Sequence, residues 1–271
     1  MARCLGPLMT AIVSAWLVSA AAAGELDDIR RELRDGVPPA LVNRQIAEAP
    51  LTFRGGPSAG AAVYRERVGS VVAIAVKEAL GAGSLVSPLG DIVTNDHLLR
   101  SAHRANGAEW VLAWFKPDRH PQPARDQFLL ARVLARDPQH DLALIRLVDP
   151  APATATVMPL APAPPEVGEE VFTIGHPRDY LWSLTQGIVS QIRPQYAWVG
   201  ADGRSRSATA IQTQAPAGPG SSGAPLLDRR GAMVGVVFAA APSARDLYLA
   251  IEVQHVREML EKPGLSSGLR P

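Results

Sequence analysis

A serine between two glycines is the first feature of this sequence that could do chemistry. Ser222 stands in the segment Gly-Ser-Ser-Gly-Ala-Pro, with Gly220 before it and Gly223 after it. Glycines let the backbone turn tightly here and leave the hydroxyl accessible, while the N–H groups of Gly220 and Ser222 can converge on a developing oxyanion. The same composition is common in surface turns. Assigning Ser222 as a nucleophile therefore depends on what the rest of the chain supplies.

A candidate base and a candidate acid precede this serine. His97 ends the segment Thr-Asn-Asp-His, and Asp141 opens the apolar run Asp-Leu-Ala-Leu. A serine hydroxyl is a weak nucleophile at neutral pH, so an imidazole must take its proton and a buried carboxylate must fix the tautomer of that imidazole. Asp137, in a turn before a proline, is the alternative carboxylate. We predict that His97 is the base, Asp141 the carboxylate and Ser222 the nucleophile.

The order of these residues discriminates between protease scaffolds. Chymotrypsin-like proteases run His, Asp, Ser, subtilisins run Asp, His, Ser, and α/β-hydrolases run Ser, Asp or Glu, His. An α/β-hydrolase would also need Gly-x-Ser-x-Gly, and Ala224 occupies the last of those positions here. The order therefore favours the chymotrypsin-like arrangement.

Several motifs, in matching order, resemble those of HtrA/Deg-type trypsin-fold serine proteases. The family's Thr-Asn-Asn-His, Asp-Leu-Ala-Leu and Gly-Asn-Ser-Gly-Gly-Pro motifs match residues 94–97, 141–144 and 220–225. Further matches lie at residues 83–93, 174–177 and 186–190. Ser221 and Ala224 depart from the motif beside the nucleophile, and His176 stands where the family usually has asparagine. The resemblance covers about residues 63–260 and implies a serine endopeptidase.

The pattern of the chain agrees with the fold that this resemblance implies. From about residue 63 onward, short apolar runs alternate with turn residues, which is typical of an all-β protein. We predict an all-β, trypsin-like double antiparallel β-barrel with short N-terminal helices and a C-terminal helix. The predicted units of this protease domain, residues 61–262, are a first barrel at about 61–149, a linker at 150–168, a second barrel at about 169–251 and a closing helix at 252–262, before a tail at 263–271.

The first 60 residues differ from the rest. Residues 1–23 have a basic start, an apolar stretch and a run of alanines, which predicts a signal peptide and hence a periplasmic or secreted protein. An uncleaved membrane anchor is the alternative; after cleavage we expect no stable membrane span. Residues 24–60 predict two short amphipathic helices and a glycine-rich linker. The single cysteine, Cys4, lies in the signal segment, so a cleaved chain has no disulfide.

Composition and spacing argue against several other functions. The chain of 271 residues has a net charge of +1, which gives no reason to expect a nucleic-acid partner. None of its six histidines has metal-ligand spacing, so we predict no metal and no cofactor. HtrA proteins commonly carry a PDZ domain after the closing helix, and we predict none here. The expected partners are unfolded or extended polypeptides, and the sequence leaves homo-oligomer assembly open.

A substrate pocket follows from the resemblance. The floor of the primary pocket precedes the nucleophile, at Pro216 and Ala217, and its wall is the strand that contains Val237, Phe238 and Ala239. This region carries no acid, so we predict cleavage after small aliphatic residues rather than after Lys or Arg. The alternative function is a trypsin-fold protein that binds peptides without cutting them.

Overall fold

The computed structural model describes residues 20–37, 58–77, 79–117, 125–240 and 247–262. The predicted signal peptide lies outside this part up to residue 19, as does the second predicted N-terminal helix. Among the described residues, no helix is both long enough and apolar enough to cross a bilayer. Helix α1 (Ala20–Gly36) lies on the first barrel, where Ile29 is buried and Arg30 pairs with Asp149 at 2.6 Å.

The first barrel is an antiparallel sheet whose ends meet. Its strands are β1 (Val71–Val76), β2 (Ala79–Leu85), β3 (Asp91–Thr94), β4 (His103–Ala105), β5 (Ala108–Phe115), β6 (Leu129–Asp137) and β7 (Leu142–Leu147). They are hydrogen-bonded in the order β1-β2-β3-β7-β6-β5-β4, and β1 also pairs with β5, which closes the ring. Because successive strand residues face opposite sides, one set fills the interior, including Ile74, Ile92, Val111 and Ile145.

The second barrel is closed and antiparallel. Its strands are β8 (Glu170–Gly175), β9 (Ser183–Val199), β10 (Ser205–Thr213), β11 (Pro225–Leu227), β12 (Met233–Ala240) and β13 (Tyr248–Glu252), arranged as β10-β13-β12-β11-β8-β9. Its interior is packed by a separate apolar cluster that includes Val171, Val189, Ile211 and Leu226. The predicted all-β, trypsin-like double-barrel fold is confirmed.

Two elements differ from the sequence-based expectation. Helix α2 (Ala59–Arg67) occupies the end of the predicted linker and the start of the predicted first barrel, because the Ser58 hydroxyl accepts a hydrogen bond from Ala61 N at 3.2 Å and caps the helix, while Val63 is buried. Strand β4 was not predicted, because three residues before an Asn-Gly turn are too few to show alternation.

The two helices that flank the barrels in the chain each contact the more distant barrel. Helix α2 leads into the first barrel but packs on the second, where a Cβ on Gly60 would lie 3.1 Å from the Phe172 ring. Helix α3 (Val253–Leu260) follows the second barrel, and its His255 ring stacks on His140 of the first barrel with 4.3 Å between ring centroids. The two barrels are therefore held together by segments at both ends of the domain.

Candidate active site

The predicted base and carboxylate meet at one edge of the first barrel. His97 follows β3 in a 3-10 helix, Asp96–Ser101, and Asp141 directly precedes β7, which is paired with β3. His97 Nδ1 lies 2.7 Å from Asp141 Oδ2, and the His97 backbone N–H donates to Asp141 Oδ1 at 2.9 Å. Asp141 is 2% exposed. A buried carboxylate on Nδ1 holds the imidazole in the tautomer whose Nε2 is free to accept a proton.

The backbone of Asp141 is held in an uncommon conformation. Its φ of +55° lies in the left-handed region, which an aspartate adopts at some cost. The Asp141 carbonyl accepts two hydrogen bonds, from Asn95 Nδ2 at 2.9 Å and from Asp96 N at 3.2 Å. Asp137, the alternative carboxylate, instead lies 3.1 Å from His140 Nδ1. The geometry therefore favours Asp141 as the partner of His97.

The turn that carries Ser222 lies between β10 and β11 and requires both glycines. Gly220 has φ +92°, and a Cβ there would lie 2.2 Å from the His176 carbonyl oxygen. Gly223 has φ +84°, and a Cβ there would lie 2.0 Å from the Ala82 carbonyl oxygen. Only glycine tolerates these φ values at this closeness. The two glycines thus let the turn fit between the barrels.

One residue of the first barrel connects this turn to the strand before His97. Ala82 N donates to Ser222 O at 2.7 Å, and Ala82 O accepts from Thr94 Oγ1 at 2.7 Å. Within the described part of the chain, no hydrogen bond joins Ser222 Oγ to the His97 ring. In proteases without substrate this contact is often long and shortens on binding. The two contacts of Ala82 place the serine turn against the strand that ends just before His97.

Two backbone N–H groups in the serine turn remain available for an oxyanion. Pro219 O accepts from Arg178 N at 2.6 Å, so the planar trans peptide directs the Gly220 N–H away from that loop. Among the described residues, neither Gly220 N nor Ser222 N donates to a protein acceptor. These are the two donors that the sequence predicts for the oxyanion hole.

The two departures from the family motif fit the turn. Ser221 is buried, donates from its N to Gly218 O at 2.8 Å, and accepts from Gly218 N on its Oγ at 3.2 Å. Ala224 is fully buried beside Gly175, where an added Cβ would meet the Ala224 Cβ at 3.0 Å. Ser221 therefore braces the turn from inside, and the methyl group of Ala224 is accommodated because residue 175 has no side chain.

Comparison with known proteins identifies the family. Residues 81–236 match the profile of the "Trypsin-like peptidase domain" family. The chain belongs to this family. One curated relative is Protease Do-like 1 of Arabidopsis thaliana chloroplasts, which is 31% identical over 59% of this chain and 33% of that protein. Another is the putative serine protease HhoB of Synechocystis, which is 28% identical over 88% of this chain and 53% of that protein. A "Probable periplasmic serine endoprotease DegP-like" of Pseudomonas savastanoi is 29% identical over 74% of this chain and 36% of that protein.

Solved structures support the same fold. The active form of the Rv3671c protease from M. tuberculosis superposes with a TM-score of 0.64 at 21% identity, covering 85% of this chain and 96% of that one. The HtrA-type protease AlgW superposes with a TM-score of 0.60 at 22% identity, covering 75% of this chain and 62% of that one. The predicted resemblance to HtrA-type trypsin-fold proteases is confirmed. The chain spans between about a third and about half of the length of the three curated relatives named above.

The predicted pocket residues lie in the segment before the serine turn and on strand β12, which pairs with β11. Pro216 is exposed, and its carbonyl accepts from Thr185 Oγ1 at 2.7 Å. Ala217 and Val237 pack in the same apolar cluster. The predicted wall residue Phe238 is buried and packs on Trp198, with 4.4 Å between ring centroids. Ala239 lies on the same strand, β12, and its side chain is outside the described part.

His176, predicted to lie near the site, links the serine turn to the barrel interface. It is fully buried, and its Nδ1 accepts from Trp182 N at 3.0 Å. Burial disfavours the imidazolium and lowers the pKa of His176 from 6.5 to about 4. Trp182 also donates from Nε1 to Val71 O of the first barrel at 3.0 Å and packs edge-on against Trp114, with 4.7 Å between ring centroids.

Acid should therefore weaken this interface. In the unfolded chain His176 gains its proton near pH 6.5, whereas in the folded domain it stays neutral to about pH 4. The contribution of His176 to the free energy of unfolding is therefore complete above pH 6.5. It is lost as the pH falls from 6.5 to about 4, and the loss is about 3 kcal/mol. Urea unfolding of His176→Asn and of the wild-type protein at pH 7 and pH 4 tests this. Between these two pH values, the free energy of unfolding of the variant should fall by about 3 kcal/mol less than that of the wild type. Equal losses in both proteins would contradict the burial of a neutral His176.

Arg206 is a part of the site that the sequence analysis missed. Its side chain is 1% exposed, and its Nε lies 3.6 Å from Asp141 Oδ1. The hydrogen bond to Asp202 raises the pKa of Arg206, and the nearby Asp141 charge raises it further against the opposing effect of burial. Alternation on β10 gave a signal, because Arg206 shares the buried face with Ala208 and Ala210. Among the described residues, no group of three or more potential metal ligands is present.

Proposed function

We propose that this domain is a serine endopeptidase that cuts unfolded or extended polypeptides with a triad of His97, Asp141 and Ser222. The observation that carries the proposal is the buried carboxylate–imidazole pair, 2.7 Å apart, in a trypsin-like peptidase domain. The serine turn supports it, since two of its N–H groups have no acceptor among the described residues and can bind the oxyanion that forms in acyl transfer.

The proposed reaction assigns a role to each of these groups. Ser222 Oγ attacks the carbonyl carbon of the scissile bond while its proton passes to His97 Nε2. The new oxyanion is bound by the N–H groups of Gly220 and Ser222. Collapse of this intermediate breaks the C–N bond, and the leaving amine takes the proton from His97. Water then attacks the acyl-enzyme while its proton passes to His97. Collapse of this second intermediate breaks the ester bond to Ser222 Oγ, which takes the proton back from His97 and frees the acid, with Asp141 stabilising the imidazolium in both halves.

We also propose that the protein acts outside the cytoplasm, in the periplasm or as a secreted enzyme. The basic, apolar and small-residue pattern of residues 1–23 supports export. The relative from Pseudomonas savastanoi is named as periplasmic. Cell fractionation followed by mass spectrometry of the N-terminus tests this. Recovery outside the cytoplasm of a chain that begins near residue 24 would show export and cleavage, whereas recovery of the intact chain in the cytoplasm would contradict the proposal.

A fluorophosphonate probe tests the proposed activity directly. The purified protein should react at Ser222 and should digest casein, and the probe should abolish that digestion. His97→Ala should lose the labelling, because the serine then lacks its base. In the part of the chain that the structure describes, the absence of a Ser222–His97 hydrogen bond favours the non-catalytic alternative. That alternative predicts no labelling with retained peptide binding, and this result would overturn the proposal.

The fragments from the same digest test specificity. The pocket region offers Ala217 and Val237 in an apolar cluster, so a substrate Lys or Arg would be buried without a counter-charge. A small aliphatic side chain would gain about 1 to 2 kcal/mol from burial there. Sequencing of the new termini should place most cuts after Val, Ala or Ile. A majority of cuts after Lys or Arg would contradict this pocket assignment while leaving the triad intact.

A further inference from the structure

A buried arginine approaches the carboxylate of the proposed triad from the second barrel. The Nε–H of Arg206 is fully buried, makes no hydrogen bond in the described part of the chain, and lies 3.6 Å from Asp141 Oδ1. That oxygen also accepts the backbone N–H of His97 at 2.9 Å, whereas the other oxygen, Oδ2, faces the His97 ring. The two oxygens therefore have different neighbours, and Arg206 lies on the side away from the imidazole.

The position of Arg206 is fixed by a second carboxylate. Its Nη1 and Nη2 each lie 2.7 Å from an oxygen of Asp202 in the β9–β10 turn, which is a two-point contact of good geometry. A Cβ on Gly200 would lie 2.0 Å from Arg206 Nη1 and 2.6 Å from Asp202 Oδ1. The glycine at this turn therefore leaves the space that the paired groups fill.

Strand β10 also holds the turn in front of Asp141. Ser207 N donates to Gln139 O at 3.1 Å, so the residue after Arg206 is bonded to the turn that leads into Asp141. Thr209 N donates to His255 Nε2 at 3.0 Å, and His255 stacks on His140 of the same turn. The distance from Arg206 to Asp141 is thus set by the backbone on both sides.

We propose that Arg206 is a positioning residue that, held by Asp202, orients the Asp141 carboxylate toward His97 and moderates its negative charge. The inference rests on the proposed endopeptidase function and adds to it a link from the β9–β10 turn to the triad. Arg206 touches neither the substrate nor the reacting atoms. Its cation lies beside the carboxylate that faces the His97 ring, so it offsets part of the negative charge that would stabilise the imidazolium.

Two substitutions should move the pH profile in opposite directions. Arg206→Met removes the cation, so the imidazolium is stabilised more and the acid limb of kcat/KM should move to higher pH by on the order of half a unit. The freed carboxylate should also lower kcat by about ten-fold with little change in KM. Asp202→Asn leaves Arg206 with one fewer counter-charge, so the acid limb should move to lower pH. Arg206→Lys should recover much of the wild-type profile.

A matched control separates positioning from stability. Arg146 pairs with the fully buried Asp91 at 2.6 Å, at the other end of β7 from Asp141. Arg146→Met should lower the thermal midpoint but leave the acid limb and kcat unchanged. If Arg206→Met behaves like this control, or if the Arg206→Lys profile matches that of Arg206→Met, Arg206 is only structural and the proposal is wrong.

A spectroscopic measurement keeps the inference testable apart from turnover. In a Ser222→Ala background, the low-field NMR proton between His97 Nδ1 and Asp141 should shift or broaden in Arg206→Met and stay in place in Arg146→Met. An unchanged resonance in both would overturn the proposal. Failure of the proposed function is a distinct result, because the wild-type protein would then neither label with the fluorophosphonate nor cut casein.

Discussion

Ser222→Ala is expected to abolish turnover of casein, with a fall in kcat of about a million-fold. His97→Ala should cost nearly as much, because the hydroxyl is a poor nucleophile without its base. The double variant should lose little more than either single variant, since the two residues act as one unit. Casein digestion followed by gel electrophoresis and by peptide release measures the loss, with the circular dichroism of each variant as a control for folding.

Additive losses would contradict this view of the site. If the double variant fell by the product of the two single effects, Ser222 and His97 would be acting independently rather than as nucleophile and base. If Ser222→Ala retained activity after contaminating proteases had been excluded, the serine would not be the nucleophile.

Asp141→Asn is expected to lower kcat by about ten-thousand-fold and to leave the fold intact. An asparagine at this position can donate its amide N–H to His97 Nδ1, which favours the tautomer with its proton on Nε2 and blocks acceptance of the serine proton. Thermal unfolding and kcat should be measured on the same preparation. Asp137→Asn is the control, because Asp137 pairs with His140 and Lys262 rather than with His97. A larger loss from Asp137→Asn would reverse the assignment.

The sequence predicted those parts of the fold that depend on local patterns of apolar and turn residues. Short apolar runs and turn residues predicted the all-β class, and a closing helix was predicted at residues 252–262. Helix α2 was mispredicted because glycine and alanine near Gly60 indicate a linker, whereas the helix depends on the Ser58 cap and on packing against Phe172. Such packing comes from the other barrel, about 100 residues away in the chain, and no local pattern reports it.

The residues of the candidate site also differ in whether the sequence predicted them. His97, Asp141 and Ser222 were predicted because each lies in a short motif, and their catalytic roles stay predictions until they are tested. Arg206 carries no motif, and an arginine in a Gly-Arg-Ser-Arg-Ser stretch is ordinarily solvent-exposed. Its burial depends on two carboxylates, of which Asp141 belongs to the other barrel. Alternation along β10 would have flagged the position but not its partners.

The crossed attachment of helices α2 and α3 bears on how the two halves of the site are held. Helix α2 precedes the first barrel but packs on the second, and helix α3 follows the second but touches the first at His140. Each attachment spans the boundary between the barrels. The serine turn and the His97–Asp141 pair belong to different barrels, so they are positioned relative to each other in part by two helices that carry no predicted catalytic residue.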